Sequence, residues 1–202
     1  MKKLSKLPLS VCVAVSGGVD SVVLLHYLKP HHSVTVVHYV HNSPYAPVEL
    51  EFVKGLCEEW QLPLVVGHQT DTREKQSQEQ YWRDGRYQFF KSLGDTVCTA
   101  HTLDDAVEWY LFTSMHGEGH YMPYQNGNVV RPLLVTTKSH LLDYAAQHGI
   151  KWLEDPTNQD TTFAARNLIR KNMVPLANAI NPGINTMVKK RIIQKTHAGH
   201  TC

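Results

Sequence analysis

Short apolar runs alternate with segments of helical spacing along the first half of the chain. Residues 11–15 and 33–38 each contain three valines, which is typical of buried strands, whereas Leu50, Val53 and Leu56 recur at the spacing of one helix face. The pattern predicts strands at residues 11–15, 33–38, 62–66 and 96–100, and helices at residues 21–28, 49–60, 79–93 and 102–113. Strands separated by helices favour parallel pairing, so we expect an α/β fold with a parallel sheet and helices on both faces.

The second half of the chain has a different pattern. Residues 116–128 are rich in Gly, His, Tyr and Asn, and they predict a long functional loop. Residues 138–148 predict a helix that stops at Gly149. Residues 161–174 predict a basic helix that ends at Pro175, and a short basic helix follows it.

Composition excludes several classes of protein. Hydrophobic residues make up 42% and charged residues 19% of the 202-residue chain, which is ordinary for a globular protein. No apolar run approaches the length of a membrane span, and the first one is too short for a secretory signal, so we expect no membrane partner. The four cysteines form no close pair, which argues against a disulfide framework or a CxxC metal site and favours the reducing cytoplasm.

Positive charge is concentrated toward the end of the chain. The net charge is only +2, which does not by itself indicate nucleic-acid binding. From Arg166 onward, however, the sequence contains Lys and Arg but no acidic residue. Such a block is typical either of a surface that binds a polyanion or of a solvated tail. We expect a catalytic domain over residues 1–176 and a short basic tail over residues 177–202.

The candidate chemistry begins with the hexapeptide SGGVDS at residues 16–21, which joins the first predicted strand to the first predicted helix. Glycines let successive N–H groups point toward an anion, and a helix N-terminus adds partial positive charge. The expected phosphate ligands are Ser16, Gly17, Gly18, Asp20 and Ser21. A carboxylate suits a phosphate site only if a cation lies between them, so we expect Asp20 to bind Mg²⁺. The alternative is an ordinary strand-to-helix turn, since neither GxxxxGK[ST] nor GxGxxG is present.

A second group of polar residues lies near the predicted fourth strand. Ligands of parallel α/β sheets bind beyond the carboxyl ends of the strands, so the loops after residues 15, 38 and 100 should converge. His101, Asp105 and Glu108 have the spacing of one helix face. The alternatives are a solvated acidic face and a structural role for His101.

These motifs occur in an order that resembles one family. The hexapeptide resembles the PP-loop of the N-type ATP pyrophosphatases, and the chain as a whole resembles the N-terminal catalytic domain of the tRNA(Ile)-lysidine synthetase family. The five further matching motifs lie at residues 38–42, 79–87, 99–108, 131–134 and 154–170. Two positions depart from the family pattern, because Asn42 stands where Gly is usual and His116 stands where Arg is usual.

The resemblance implies a Rossmann-like adenine nucleotide alpha hydrolase fold and a ligase that forms a carbon–nitrogen bond. Such an enzyme uses ATP and Mg²⁺ to adenylate C2 of the wobble cytidine of tRNA(Ile), after which L-lysine displaces AMP. The resemblance also implies that His38 and His101 join the loop in binding ATP. Arg83 would reach the nucleotide or the target base, although its spacing equally allows a surface pair with Glu79.

The resemblance places the second substrate on two pairs of charged residues. Asp105 and Glu108 would hold the amines of lysine, and one of them would ease deprotonation of the attacking amine. Arg166 and Arg170 would bind phosphate, the lysine carboxylate or the tRNA backbone.

The resemblance covers the catalytic domain alone, so we expect weak tRNA binding, a homodimer or a different nucleic-acid target. One alternative is a related PP-loop enzyme that thiolates or amidates another base or a small molecule. Thiolation is disfavoured because no cysteines are paired in sequence, although Cys57 and Cys98 could meet in space. Another alternative, a non-catalytic nucleotide- or RNA-binding relative, is disfavoured by the retention of Asp20, Asp105 and Glu108.

Overall fold

The valine-rich runs form the centre of a six-stranded sheet in the computed structural model, which describes residues 5–69, 77–154 and 168–198. The strands are β1 (Ser10–Ala14), β2 (Ser33–Val40), β3 (Leu64–His68), β4 (Val97–Cys98), β5 (Gln125–Asn126) and β6 (Val129–Val130). Their order across the sheet is β3-β2-β1-β4-β6-β5. Every neighbouring pair is parallel except β5 with β6. The predicted α/β fold with a mainly parallel sheet is confirmed.

Seven α-helices connect and follow these strands within the described residues. They are α1 (Val19–Leu28), α2 (Ala46–Trp60), α3 (Gln78–Ser92), α4 (Leu103–Met115), α5 (Lys138–Gln147), α6 (Val174–Ile180) and α7 (Ile184–Ala198). A π-helical turn, Ile169–Met173, precedes α6. No helix in the described ranges is long and apolar enough to cross a membrane.

The two faces of the sheet are buried in separate clusters, because successive side chains of a strand point to opposite faces. Val11 and Val13 of β1 pack with residues of α1, α2 and α5, such as Leu25. Cys12 packs on the other face with Phe90 of α3. Helices therefore cover both faces of the sheet, as the sequence predicts.

A third cluster joins α4 to the C-terminal helix. Ile184, Val188 and Ile192 of α7 are buried together with Ala106 and Val107 of α4. The predicted basic tail therefore contains a helix whose apolar face is packed, while its basic side chains are exposed. The predicted boundary at residue 176 stays a prediction.

Several predicted elements differ from the structure: the third strand is Leu64–His68 rather than residues 62–66, and the loop predicted at residues 116–128 contains β5. The fourth strand is Val97–Cys98 rather than residues 96–100, and it pairs with the equally short β6. The helix predicted to end at Pro175 instead continues to Ile180. Proline is tolerated there because it lies in the first turn of α6 and because the preceding π-turn, in which Val174 N–H bonds to Ile169 O, rearranges the hydrogen bonds. Residues 161–167 of that predicted helix lie outside the described residues.

Candidate functional site

The loop between β1 and α1 has a backbone that only glycine fits at one position. Gly17 has φ +94°, and its carbonyl accepts a hydrogen bond of 2.9 Å from the Leu153 amide. A Cβ at this position would lie 3.1 Å from Cδ1 of Leu153 and 3.4 Å from Cδ1 of Phe52. Gly18 is different, because its φ is −71° and an added Cβ would come no closer than 3.8 Å to Ser16 Oγ. Gly17 thus sets the shape of the loop.

Hydroxyl groups brace this loop from within. Ser21 Oγ donates to Gly18 O at 2.8 Å and accepts from the Ser16 amide at 3.2 Å. The hydroxyls of Ser16 and Ser21 lie 3.3 Å apart. Ser21 is buried and Ser16 is exposed, so Ser16 is the better placed of the two for a ligand. The helix that follows presents its N-terminus to the same space.

Asp20, in the first turn of α1, is paired with a lysine that the sequence analysis did not single out. Lys138 Nζ donates to both carboxylate oxygens of Asp20, at 2.7 and 2.6 Å. The Lys138 amide also donates to Asp104 Oδ2 at 2.7 Å. Burial raises the pKa of Asp20, and the hydrogen bond and charge of Lys138 oppose that shift. The position predicted to bind Mg²⁺ therefore already accommodates a cationic group.

The predicted acidic pair lies on α4 and is bridged by an arginine. Asp105 Oδ2 accepts from the amide and hydroxyl of Thr102, both at 2.8 Å, in a capping box that starts the helix. Its other oxygen accepts from Arg170 Nη2 at 3.0 Å. Glu108 is only 1% exposed, and its Oε2 lies 2.7 Å from both Nε and Nη2 of Arg170. The structure thus brings Asp105, Glu108 and Arg170 together, while Arg166 lies outside the described residues.

An aromatic and basic cleft of about 300 Å³ opens beyond the carboxyl ends of β2 and β4. Its lining includes Trp82, Tyr87 and Trp109 together with Arg83, Arg86 and Arg131. Within the described residues, that lining contains no carboxylate. The Arg83 guanidinium carbon lies 5.5 Å from the centre of the Tyr87 ring and 5.7 Å from that of Trp109, within the range of cation–π attraction. Such a lining suits a flat ring that carries negative charge nearby.

Arg131 holds the wall of this cleft. It is 3% exposed and donates through Nη1 to Pro123 O at 2.8 Å and through Nη2 to the Tyr87 hydroxyl at 3.0 Å. It ties the segment before β5 to α3, so the cleft has a fixed shape.

The amino-acid sequence matches that of a known domain family. A protein-family model described as a PP-loop domain matches residues 2–177. The chain belongs to the PP-loop family. It is 34% identical over 184 residues to the tRNA(Ile)-lysidine synthase of Escherichia coli O157:H7, an alignment that covers 82% of this chain and 42% of that protein. It is 39% identical to the corresponding enzyme of Edwardsiella ictaluri, with 81% and 42% covered.

The predicted family resemblance is therefore confirmed, and the chain spans about two fifths of the length of these curated relatives. Among solved structures, it is similar to the U34-tRNA thiolase NcsA from Methanococcus maripaludis with its [4Fe-4S] cluster. The TM-score is 0.72 at 16% identity, with 94% of this chain and 73% of that chain covered. At that identity the likeness shows that the PP-loop fold is shared.

The histidines of the PP-loop domain have different environments. His38 is 2% exposed, and its Nδ1–H donates to Val15 O at 2.8 Å, which joins the ends of β1 and β2. Burial lowers the pKa of His38, and its Nε2 has no hydrogen-bond partner among the described residues. Burial and the neighbouring Arg86 lower the pKa of His41 to about 4. His101 lines the cleft, with Nδ1 at 3.0 Å from Thr99 Oγ1.

Sequence reasoning missed three residues of this site: Lys138, Trp82 and Trp109. The tryptophans flank predicted residues directly, because Trp82 precedes Arg83 and Trp109 follows Glu108. Lys138 had a weaker signal, since it only begins a predicted helix. In the described part of the chain, no group of three or more His, Cys, Asp or Glu side chains is placed to hold a metal ion.

Proposed function

We propose that this PP-loop domain modifies tRNA in two steps that together form a carbon–nitrogen bond. In the first step, O2 of the wobble cytidine of tRNA(Ile) bonds to the α-phosphorus of ATP and pyrophosphate leaves. In the second step, an amine of L-lysine bonds to C2, AMP leaves with O2, and the amine loses a proton. The observation that carries this proposal is that α4 supplies both a carboxylate pair, Asp105 and Glu108, bridged by Arg170, and Trp109 of the aromatic and basic cleft.

The phosphates of ATP fit the loop of residues 16–18 and the N-terminus of α1. Gly17 keeps a side chain out of this turn, and the amides of Val19 and Asp20 precede that of Ser21, which makes the first bond to Gly18 O. Asp20 would hold Mg²⁺, which supplies positive charge that neutralises the phosphates. The residues fit that role because the Asp20 carboxylate is partly exposed and already binds a cationic group.

The carboxylates on α4 suit the amines of lysine. Glu108 is buried, so its charge requires a cationic partner, which Arg170 provides in this structure. A lysine amine would share this position or replace the guanidinium, whose side chain is 53% exposed and therefore has room to move. One of the two carboxylates would then accept the proton that the attacking amine loses. Arg170 would keep a cationic hydrogen-bond donor beside the carboxylate of lysine.

The target base fits the cleft. Trp82, Tyr87 and Trp109 offer ring faces for stacking, and each stacked base contributes about 1–3 kcal/mol in such sites. Arg83 would place positive charge beside the base while O2 attacks ATP. Trp109 and the carboxylate pair both belong to α4, so one helix would position the base and the amine. We place this reaction in the cytoplasm, and the homodimer stays a prediction.

Sulfur transfer is less well supported by the described cysteines. Cys12, Cys57 and Cys98 are all buried. Burial raises the pKa of Cys57 to about 11 and raises that of Cys12, so both stay thiols rather than reactive thiolates near neutral pH. Amination therefore accounts better for the site than thiolation.

The decisive experiment incubates the protein with tRNA(Ile), ATP, Mg²⁺ and isotopically labelled lysine. Mass spectrometry of the digested nucleosides should then detect the label on cytidine, together with release of AMP and pyrophosphate. Asp20→Ala should abolish pyrophosphate release while the circular dichroism spectrum stays that of the wild type. Modification that proceeds with ammonia or a sulfur donor in place of lysine would overturn the proposal.

A further inference from the structure

The pair formed by Lys138 and Asp20 joins two helices that are far apart in sequence. The ammonium lies 2.6–2.7 Å from both carboxylate oxygens, across a separation of 118 residues. Lys138 is the first residue of α5, and Asp20 lies in the first turn of α1. Both side chains are partly exposed, at 40% and 31%. The pair therefore lies at the surface of the loop site, where a ligand can reach it.

The backbone of Lys138 is fixed, whereas its side chain has freedom to move. The Lys138 amide donates to Asp104 Oδ2 at 2.7 Å, and the next turns of α5 are buried through Leu141 and Ala145 in the same cluster as Leu24 of α1. The ammonium, in contrast, ends a flexible four-carbon stem. The backbone of Lys138 is thus anchored near the loop, and the position of its ammonium depends on which anions are available.

Electrostatics explains why the ammonium lies where it does. A helix N-terminus carries partial positive charge, so a cation beside it is unfavourable unless an anion balances it. In this structure the balancing anion is the Asp20 carboxylate. Phosphates at the same N-terminus would offer the ammonium a second and more highly charged set of oxygens.

We propose that Lys138 is a phosphate-binding residue of this site. Its ammonium pairs with Asp20 until ATP binds and then moves to the oxygens of the β- and γ-phosphates. The inference rests on the proposed function, since it requires ATP at the loop of residues 16–18. Transfer of the ammonium leaves the Asp20 carboxylate available for a divalent cation. Lys138 thus keeps positive charge at the site before and after ATP binds.

Equilibrium binding tests this role without catalysis. Isothermal titration with ATP, and separately with AMP, is carried out in EDTA so that no divalent cation takes part. Lys138→Met should weaken ATP binding about tenfold, the effect of losing one charge-assisted hydrogen bond at a partly exposed site, and should leave AMP binding unchanged. Lys138→Arg, which keeps the cation, should stay within about threefold of wild type. Lys54→Met, at an exposed lysine of α2, is the matched control and should bind ATP as the wild type does.

A second variant should change ATP affinity in the opposite direction. Asp20→Asn releases the ammonium and should tighten ATP binding in EDTA. If Lys138 causes this gain, Asp20→Asn should increase ATP affinity less in the Lys138→Met background than in the wild-type background. Simple removal of negative charge would give the same increase in both backgrounds. Equal gains, or wild-type ATP affinity in Lys138→Met, would overturn the inference and leave the proposed function intact. Failure of the wild-type protein to bind ATP in EDTA would overturn the inference, and failure to bind ATP with Mg²⁺ present would overturn the proposed function as well.

Discussion

Replacing Gly17 with alanine tests the loop geometry on which the site is built. The new methyl group would meet Leu153 Cδ1 at 3.1 Å and Phe52 Cδ1 at 3.4 Å. The backbone would also have to keep φ +94°, a conformation that alanine rarely adopts. Gly18→Ala is the matched control, because φ there is −71° and the nearest atom to the new methyl group is Ser16 Oγ at 3.8 Å.

The expected magnitude follows from these contacts. Left-handed backbone costs alanine about 1–2 kcal/mol, and displacing Leu153 from its rotamer costs about 0.5–1.5 kcal/mol. Loss of backbone freedom in the unfolded chain offsets about 0.4–1 kcal/mol of this cost. We expect Gly17→Ala to lower the free energy of unfolding by about 2 kcal/mol and the melting temperature by about 4–8 °C. Gly18→Ala should change the free energy of unfolding by less than about 1 kcal/mol, because the gain from restricting the unfolded chain is offset by the loss of glycine at the N-cap of α1.

Urea denaturation monitored by tryptophan fluorescence measures both variants. A double-mutant cycle with Leu153→Ala then separates the two causes, because shortening Leu153 removes the steric contact but not the backbone strain. The coupling energy between residues 17 and 153 should be about 1 kcal/mol. Equal stabilities of Gly17→Ala and Gly18→Ala would show that the loop does not have the described conformation.

Three further variants address the amine site, the cleft and a buried histidine. Glu108→Gln should raise the KM for lysine about tenfold and leave ATP affinity unchanged, since it removes one charge-assisted partner; an unchanged KM would exclude Glu108 from the amine site. Trp109→Leu should weaken RNA binding in a filter assay about tenfold, whereas Trp60→Leu, outside the cleft lining, should not; equal losses would contradict base stacking on Trp109. His41, whose pKa burial lowers from 6.5 to about 4, favours the folded state only while it is neutral. Stability should therefore fall as pH falls from 6.5 toward 4, less so in His41→Gln, and an NMR titration midpoint for His41 near 6.5 would contradict this.

The sequence predicts the fold well where periodicity is long and fails where elements are short. The runs that became β1 and β2 carry enough valine to predict buried strands, and their register follows from that pattern. In contrast, β6 has two residues, Val129 and Val130, and nothing in so short a segment indicates that it pairs with β4. The prediction that the helix ends at Pro175 was wrong for a similar reason. The helix tolerates this proline because of a π-turn, and that turn has no signature in the sequence.

The site residues likewise differ in how far the sequence predicts their contacts. Residues of one local motif, such as Ser16 and Ser21, could be grouped from sequence because their spacing places them together. The partners of Asp20 and Glu108 could not, because Lys138 and Arg170 lie 118 and 62 residues away. Side-chain ion pairs between residues so far apart in sequence depend on tertiary packing, which local spacing does not predict.

Asp104 and Asp105 occupy adjacent positions at the start of α4, and each contacts a different basic residue of the site. Asp104 accepts from the amide of Lys138, and Asp105 accepts from the guanidinium of Arg170. A single peptide bond therefore separates the residues that contact Lys138 and Arg170, and any rotation of this helix start moves both contacts together. In the proposed reaction, this one corner of the protein would align the adenylated base with the incoming amine.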